Sequence, residues 1–289
     1  MEKSIMGCPT TLYKYCPPER IDIIDGAMLR YTPLGSFNDP FEGRPEITDI
    51  VNEEEIQKEI EMQVSKTLEE TYQNLPDNQK RLLSFDHFLT ISSSTLPEIK
   101  DRAIRTLSEN LPSLRNVIYS AIDSAIGALC LTEVPDNLLM WSHYSQSHTG
   151  FVLEFDAHHE YFHSKTSDKD ELRHLRRVLY RGARPSMTLR ALTAPNIFLV
   201  KSVHWAYEQE WRILRPLKEA SKTINENHLF EFPRDALTSV TIGARANKDM
   251  EEKIISILNK HPEYQSVKLF RARPDDSHFL LRITEFKRK

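Results

Sequence analysis

The 289-residue sequence has little glycine and little cysteine, 8 of the first and 3 of the second. Its glycines are scattered, so there is no Gly-x-Gly-x-x-Gly turn and no Gly-rich loop of the kind that cradles phosphates, which excludes a Rossmann dinucleotide site and a P-loop. Cys8, Cys16 and Cys130 are odd in number and far apart. They form neither a disulfide framework nor the paired spacing of a zinc site, and they suit a reducing cytoplasm. No window approaches the roughly 20 consecutive apolar residues of a membrane span, and the N-terminal residues lack the apolar run of a signal peptide. A cytoplasmic protein with no membrane partner is the expectation. Charge of one sign is also missing: the net charge is −4, so the bulk field does not draw nucleic acid. Eleven histidines are present, but His143 and His148 are five apart, and His158 and His159 are adjacent and diverge. Neither pair has the i, i+4 spacing of helical metal ligands, so no metal site is expected. A Gly-x-Ser-x-Gly nucleophile turn is lacking as well.

What the chain does contain is concentrated in residues 201–214, where Lys201, His204, Trp205, Tyr207, Glu208, Glu210, Trp211 and Arg212 crowd together. Alternation at the end of this stretch predicts a strand with Glu208, Glu210 and Arg212 on one face and Trp211 and Ile213 on the other. Such a charged face is either solvated or the wall of a polar cleft. Trp205, Tyr207 and Trp211 favour the cleft, because they are costly to expose and suited to lining pockets. Two carboxylates at Glu-x-Glu spacing repel, which raises the pKa of one and leaves the other ionised to stabilise a cation.

The remaining patterning predicts an α+β fold. Residues 12–15 read as a first strand ending at Pro17 and Pro18, residues 27–31 as another, and 37–42 as a turn fixed by Asn38, Asp39 and Pro40 with Phe37 and Phe41 pinning it to the core. That turn is a structural loop or one that presents Asn38, Asp39 or Glu42 to a ligand. From about 52 to 125 apolar residues recur at helical spacing, with Pro76, Pro97 and Pro112 separating three or four helices. Beyond this block the pattern predicts a strand over 128–132, a helix over 137–147 capped by Asp136, and a strand over 151–156. A charged helix over 168–177 and a helix leading from Pro195 through Lys201 follow, then strands near 229–232, 240–243, 267–270 and 279–283 with an amphipathic helix over 248–259. Strands on both sides of one helical block argue for a single domain, residues 1–289, with a mixed or antiparallel sheet system and a helical insertion at about 52–125.

Several of these stretches together carry a resemblance: Leu12-Tyr13-Lys14-Tyr15, Phe37-Asn38-Asp39-Pro40-Phe41-Glu42, Met140-Trp141-Ser142-His143-Tyr144 and Trp205-x-Tyr207-Glu208-x-Glu210-Trp211-Arg212. The combination resembles a large bacterial family defined by a domain of unknown function and met near phage-defence genes. A looser resemblance supplies chemistry. A Tyr-bearing first strand, a middle strand ending in Thr132 and a late Glu-x-Glu are similar to mono-ADP-ribosyltransferases, which cleave the nicotinamide bond of NAD. That resemblance implies Glu210 as the catalytic glutamate, Glu208 as the one that orients the acceptor, and NAD as the cofactor consumed. It also implies cofactor contacts from Tyr13, Lys14 and Thr132, and Trp141, His143, Tyr144 and Arg212 are expected beside them as cofactor-binding residues of the cleft. Those enzymes carry Arg or His on the first strand, where this chain has Tyr13 or Lys14. The expectation is an NAD-dependent ADP-ribosyltransferase-like enzyme, a phage-defence or toxin effector acting on a protein or nucleic acid acceptor. The rivals are a sensor that binds a nucleotide-like or phage-derived ligand in the same cleft, and a metal nuclease built on Asp39, Glu154 and Asp156, for which a matching lysine is missing.

Overall fold

The computed structural model describes residues 7–50, 52–94, 96–192 and 195–288. The fold is α+β, and its chain divides into two compact units: residues 1–44, 122–184 and 195–289 form the first, and 45–121 with 185–194 the second.

The first unit is built on a mixed, mostly antiparallel sheet. Strand Ile126–Thr132 is its pivot. Along one edge it pairs with Glu210–Pro216 from end to end, Glu210 opposite Thr132 and Pro216 opposite Ile126. Its other edge is shared: Gly127 and Ala128 pair with strand Met28–Pro33, while Thr132 pairs with Tyr13 of strand Thr11–Cys16. Between those two anchor points the neighbouring strands part, and residues 129–131 have no ladder partner on that side. The opening in the sheet is where the candidate site forms.

Period-2 alternation decides what faces the opening. Leu129, Leu131, Trp211 and Ile213 point to the main hydrophobic core with Leu12, Leu153 and Phe155. Cys130, Thr132, Glu210 and Arg212 point the other way, and the ladder sets Glu210 beside Thr132 and Arg212 beside Cys130. On this second face a smaller apolar cluster of Tyr15, Met140, Trp141 and Val152 seats the helix Leu138–Tyr144. Strand Phe151–Asp156 follows that helix and pairs antiparallel with Thr11–Cys16, which completes the expected strand, helix, strand unit. The sheet continues through Leu237–Ile242 to Lys268–Pro274, a parallel pair joined across the helix Lys248–Lys260, and ends on Leu281–Phe286.

The second unit is mainly helical, with Glu53–Gln73, Asp77–Lys80, Phe85–Ser93 and most of the helix Leu96–Ala125. Pro112 lies inside that 30-residue helix and does not end it, contrary to the punctuation read from the sequence.

Other local expectations are corrected. Residues 168–177 are not a helix: the Asp170 carboxylate accepts the amides of Thr166 and Leu172 and the Arg173 guanidinium, an arrangement that closes a turn instead. The helix after Asp136 is capped by Asn137, whose Oδ1 accepts from the Leu139 and Met140 amides, and it ends at Tyr144 because Gln146, Ser147 and His148 all take positive φ. Lys201 lies in a short strand, Val200–Ser202, paired parallel with Leu179–Arg181, and not in a helix. Phe41 is exposed and does not pin its turn to the core.

Candidate functional site

Glu208 does not belong to the strand that carries Glu210. It ends a 3-10 turn, Val203–Glu208, and Gln209 follows with φ 43°, a left-handed conformation that re-aims the chain before the strand begins. Simple alternation would have stacked the two carboxylates along one face. The turn lets them converge on one point, the Lys201 ammonium, 2.6 Å from Glu208 Oε2 and 3.1 Å from Glu210 Oε2.

A third carboxylate arrives from a distant turn. Asp39 Oδ1 accepts the Phe41 amide at 2.9 Å, and the Glu42 amide donates to the Asp39 carbonyl at 3.2 Å. This fixed turn delivers Glu42 to Lys201 at 2.9 Å and to Arg212 at 3.0 Å. Arg212 also donates to Glu210 from Nε at 2.6 Å and Nη2 at 2.9 Å, and from Nη1 to the Phe198 carbonyl at 2.8 Å. The Phe37 ring lies against its guanidinium. All five charged side chains are buried, with Arg212 at 0 % exposure. Burial at this depth is tolerated only because every charge is paired.

The two members of the Glu-x-Glu pair are driven apart. Burial works to raise the Glu210 carboxyl, but Arg212 and then Lys201 outweigh it and hold it at about 2. For Glu208 burial prevails, reinforced by the neighbouring Glu210 charge against the pull of Lys201, and its pKa is raised. Burial likewise opposes the charge of Lys201, yet the three carboxylates raise its pKa well above the usual lysine value. A pair of carboxyls with separated proton affinities is the arrangement that lets one stay ionised while the other exchanges protons.

A cavity of about 200 Å³ opens in front of this cluster, lined by Glu42, Lys201, Glu208 and Glu210, by Tyr13, Lys14, Tyr15, Arg30 and Thr32 of the parted strands, and by Cys130 and Thr132 of the pivot strand. Tyr144 covers it from the helix and donates to Glu208 Oε1 at 2.6 Å, while the Asn38 amide donates to the Tyr144 hydroxyl at 3.4 Å. The Tyr144 hydroxyl is raised by burial and then by the Glu208 charge, so it remains a donor. Cys130, opposite Arg212 on the paired strand, has its thiol pKa raised by burial and then by Glu210.

The residues singled out in the sequence separate into two groups. Glu208, Glu210, Tyr13, Lys14, Thr132 and Tyr144 line the cavity. Thr132 is positioned by its own hydrogen bonds, since its hydroxyl donates to the Glu208 carbonyl and accepts from the Val134 amide. Trp141, His143 and Arg212 do not line it. Trp141 is fully buried, donates to the Pro135 carbonyl at 2.9 Å, and meets the Tyr15 ring edge-on. His143 is exposed, 3.4 Å from the Tyr207 hydroxyl. Arg212 stands behind Glu210. Sequence reasoning missed Lys201 as a site residue, although it begins the charged stretch, and it missed Tyr180, whose hydroxyl accepts the Glu210 amide at 2.8 Å. Glu42 was foreseen only as one of three residues a loop would present. The acids of the nuclease reading are engaged elsewhere: Glu154 accepts from Ser239, and Asp156 accepts the His158 amide. Among the described residues no three His, Cys, Asp or Glu side chains converge as metal ligands, and no helix is long and apolar enough to cross a membrane.

The model of a family described as Protein of unknown function (DUF2971) matches residues 140–213. The matched span contains Tyr144, Lys201, Glu208, Glu210 and Arg212 and excludes Glu42 and the residues contributed by the first strands. Neither a curated protein nor a solved structure matches.

Proposed function

We propose that the chain is an NAD-dependent, ADP-ribosyltransferase-like enzyme, a phage-defence or toxin effector, with Glu208 as the carboxylate that meets the reacting sugar. One observation carries this reading: Glu42, Glu208 and Glu210 converge on Lys201 and Arg212, so three carboxylates face two cations at the floor of a cavity. Glu208 differs from Glu210 in that one of its oxygens, Oε1, is held by the Tyr144 hydroxyl and not by a cation. Such a preorganised carboxylate stabilises positive charge developing on a ribose. The cavity of about 200 Å³ is walled by Tyr13, Tyr15 and Tyr144, whose rings suit contact with a sugar and a flat base.

NAD would supply a ribosyl–nicotinamide bond that breaks with its electron pair leaving on nicotinamide. The residues here would do the rest. Glu208 offsets the charge at the ribose carbon, and its raised proton affinity suits it to take the proton that an incoming acceptor hydroxyl or amine gives up as its bond to that carbon forms. Tyr144 and Lys201 fix the orientation of Glu208, while Glu210, held by Arg212, keeps Lys201 charged and in place. The reading shifts the principal role from Glu210 to Glu208, because both Glu210 oxygens are already taken by cationic donors.

The test is nicotinamide release from NAD, with and without a cell lysate supplying acceptors. Wild-type protein should release it, and Glu208→Gln should lower the rate about 100-fold or more. Failure of the wild type to release nicotinamide under both conditions would leave a ligand sensor as the better account. The feature favouring that second reading is the saturation of Glu210, which resembles a structural network as much as a catalytic one.

A further inference from the structure

The cavity has an oppositely charged end that the carboxylate cluster does not use. Arg30, on strand Met28–Pro33, is half-buried, and its Nε is buried without a hydrogen-bond partner. Among the described residues it pairs with no carboxylate. Burial, and then repulsion from Arg20, depresses its pKa, as expected of a guanidinium that pays for its position without compensation. Lys14, on the strand that parts from it, donates only to the Cys130 carbonyl, at 3.3 Å. Both side chains line the cavity and also the groove beside it, which shares Thr32 and Tyr144 with the cavity wall. Of the other charged groups of that groove, Arg20 is paired with Asp22, and among the described residues Glu19 forms no ion pair with Arg30 or Lys14.

The contrast with Lys201 and Arg212 is what makes these cations informative. In the same cavity region, one pair of cations is saturated by three carboxylates and the other pair has none. A guanidinium left without an acid on the wall of a cavity offers its fork of donors to a bidentate anion, the partner its geometry fits. We propose that Arg30 and Lys14 form an anion subsite for the phosphate groups of a ligand of the nucleoside diphosphate class, whose sugar end enters the cavity toward Glu208. The subsite rests on the ligand cavity of the reading above and does not require the transfer reaction.

Calorimetric titration with ADP-ribose, inorganic pyrophosphate and adenosine tests it, alongside thermal unfolding. The expected result is that ADP-ribose binds, with an affinity that falls as salt rises, and that Arg30→Gln and Lys14→Gln each weaken it by about tenfold or more while leaving adenosine binding unchanged. Without ligand, Arg30→Gln should melt at or above the wild-type temperature, because it removes an unpaired charge. A variant that melts lower yet binds ADP-ribose normally would mark Arg30 as structural and overturn the proposal, and so would failure of both ADP-ribose and pyrophosphate to bind the wild type. Lys14→Gln provides the same comparison should Arg30→Gln not fold. Phosphate-dependent binding without nicotinamide release would refute the transferase and keep the subsite. Nicotinamide release whose KM for NAD is unmoved in both variants would do the reverse.

Discussion

Arg212 holds Glu210 through two of its nitrogens, at 2.6 Å and 2.9 Å, with both side chains buried. A carboxylate so engaged is part of the scaffold first. Glu210→Gln therefore should lose about 3–5 kcal/mol of stability, the usual cost of leaving one partner of a buried pair uncompensated. Chemical denaturation of the variant beside wild type measures it. An unchanged unfolding midpoint would show that Glu210 is not the anchor of the cluster.

The pH dependence of stability should carry opposite signatures from the two glutamates. Glu210 is lowered to about 2, so its contribution is fully present above the unfolded carboxyl value and disappears as pH falls toward 2. Glu208 is raised, so its contribution is present below the unfolded value and is lost as pH rises through the folded one. Relative to wild type, Glu208→Gln should gain stability as pH rises from about 4 to about 7, since Gln escapes the cost of ionising in a buried site. Denaturant midpoints of the two proteins across that range decide it. A difference independent of pH would mean that the Glu208 pKa is not raised on folding.

Trp141 should behave as a core residue. Its ring is fully buried, with its N–H satisfied by Pro135. Trp141→Ala should cost about 3–5 kcal/mol, whereas Trp141→Phe should stay folded and bind ADP-ribose as wild type does. Weaker ligand affinity in a folded Phe variant would show that Trp141 reaches the ligand after all.

The sequence revealed the elements better than the meeting points. Alternation placed Trp211 and Ile213 in the core and Glu210 and Arg212 opposite them, because a strand imposes its period on whatever residues it carries. The aromatic helix and its two flanking strands were legible for the same reason. Glu208 was misassigned to the strand because a single left-handed residue, Gln209, breaks that period and leaves no signature in residue type. The charged run at 168–177 imitated a helix, but Asp170 competes for backbone amides and wins. Glu42 and Lys201 are 2.9 Å apart across most of the chain, and their pairing follows from the topology that brings the turn after Asn38, Asp39 and Pro40 to the strand Val200–Ser202. No local pattern encodes such a contact. The parting of the first two strands along Ile126–Thr132, which creates the cavity, is likewise a property of register.

Lys201 offers the sharpest test of how the cluster is held. It touches all three carboxylates, and Arg212 alone cannot replace it, since Arg212 reaches Glu42 and Glu210 but makes no contact with Glu208. Lys201→Met preserves much of the side-chain volume and leaves three buried acids facing one cation, so it should lose about 3–5 kcal/mol near neutral pH. Two further results separate charge from packing. Lowering the pH should narrow the deficit, because without the ammonium the carboxyls bind protons more tightly in the folded state than in the unfolded one, and that difference favours folding as protons become available. Adding Glu208→Gln should also recover part of the loss, giving a coupling energy of about 0.5–3 kcal/mol in a double-mutant cycle. Measurement is by denaturant unfolding of wild type, both single variants and the double variant at two pH values. Additive losses that do not change with pH would mean that Lys201 acts through the packing of its aliphatic stem, and that the ammonium is not the centre on which the three carboxylates are organised.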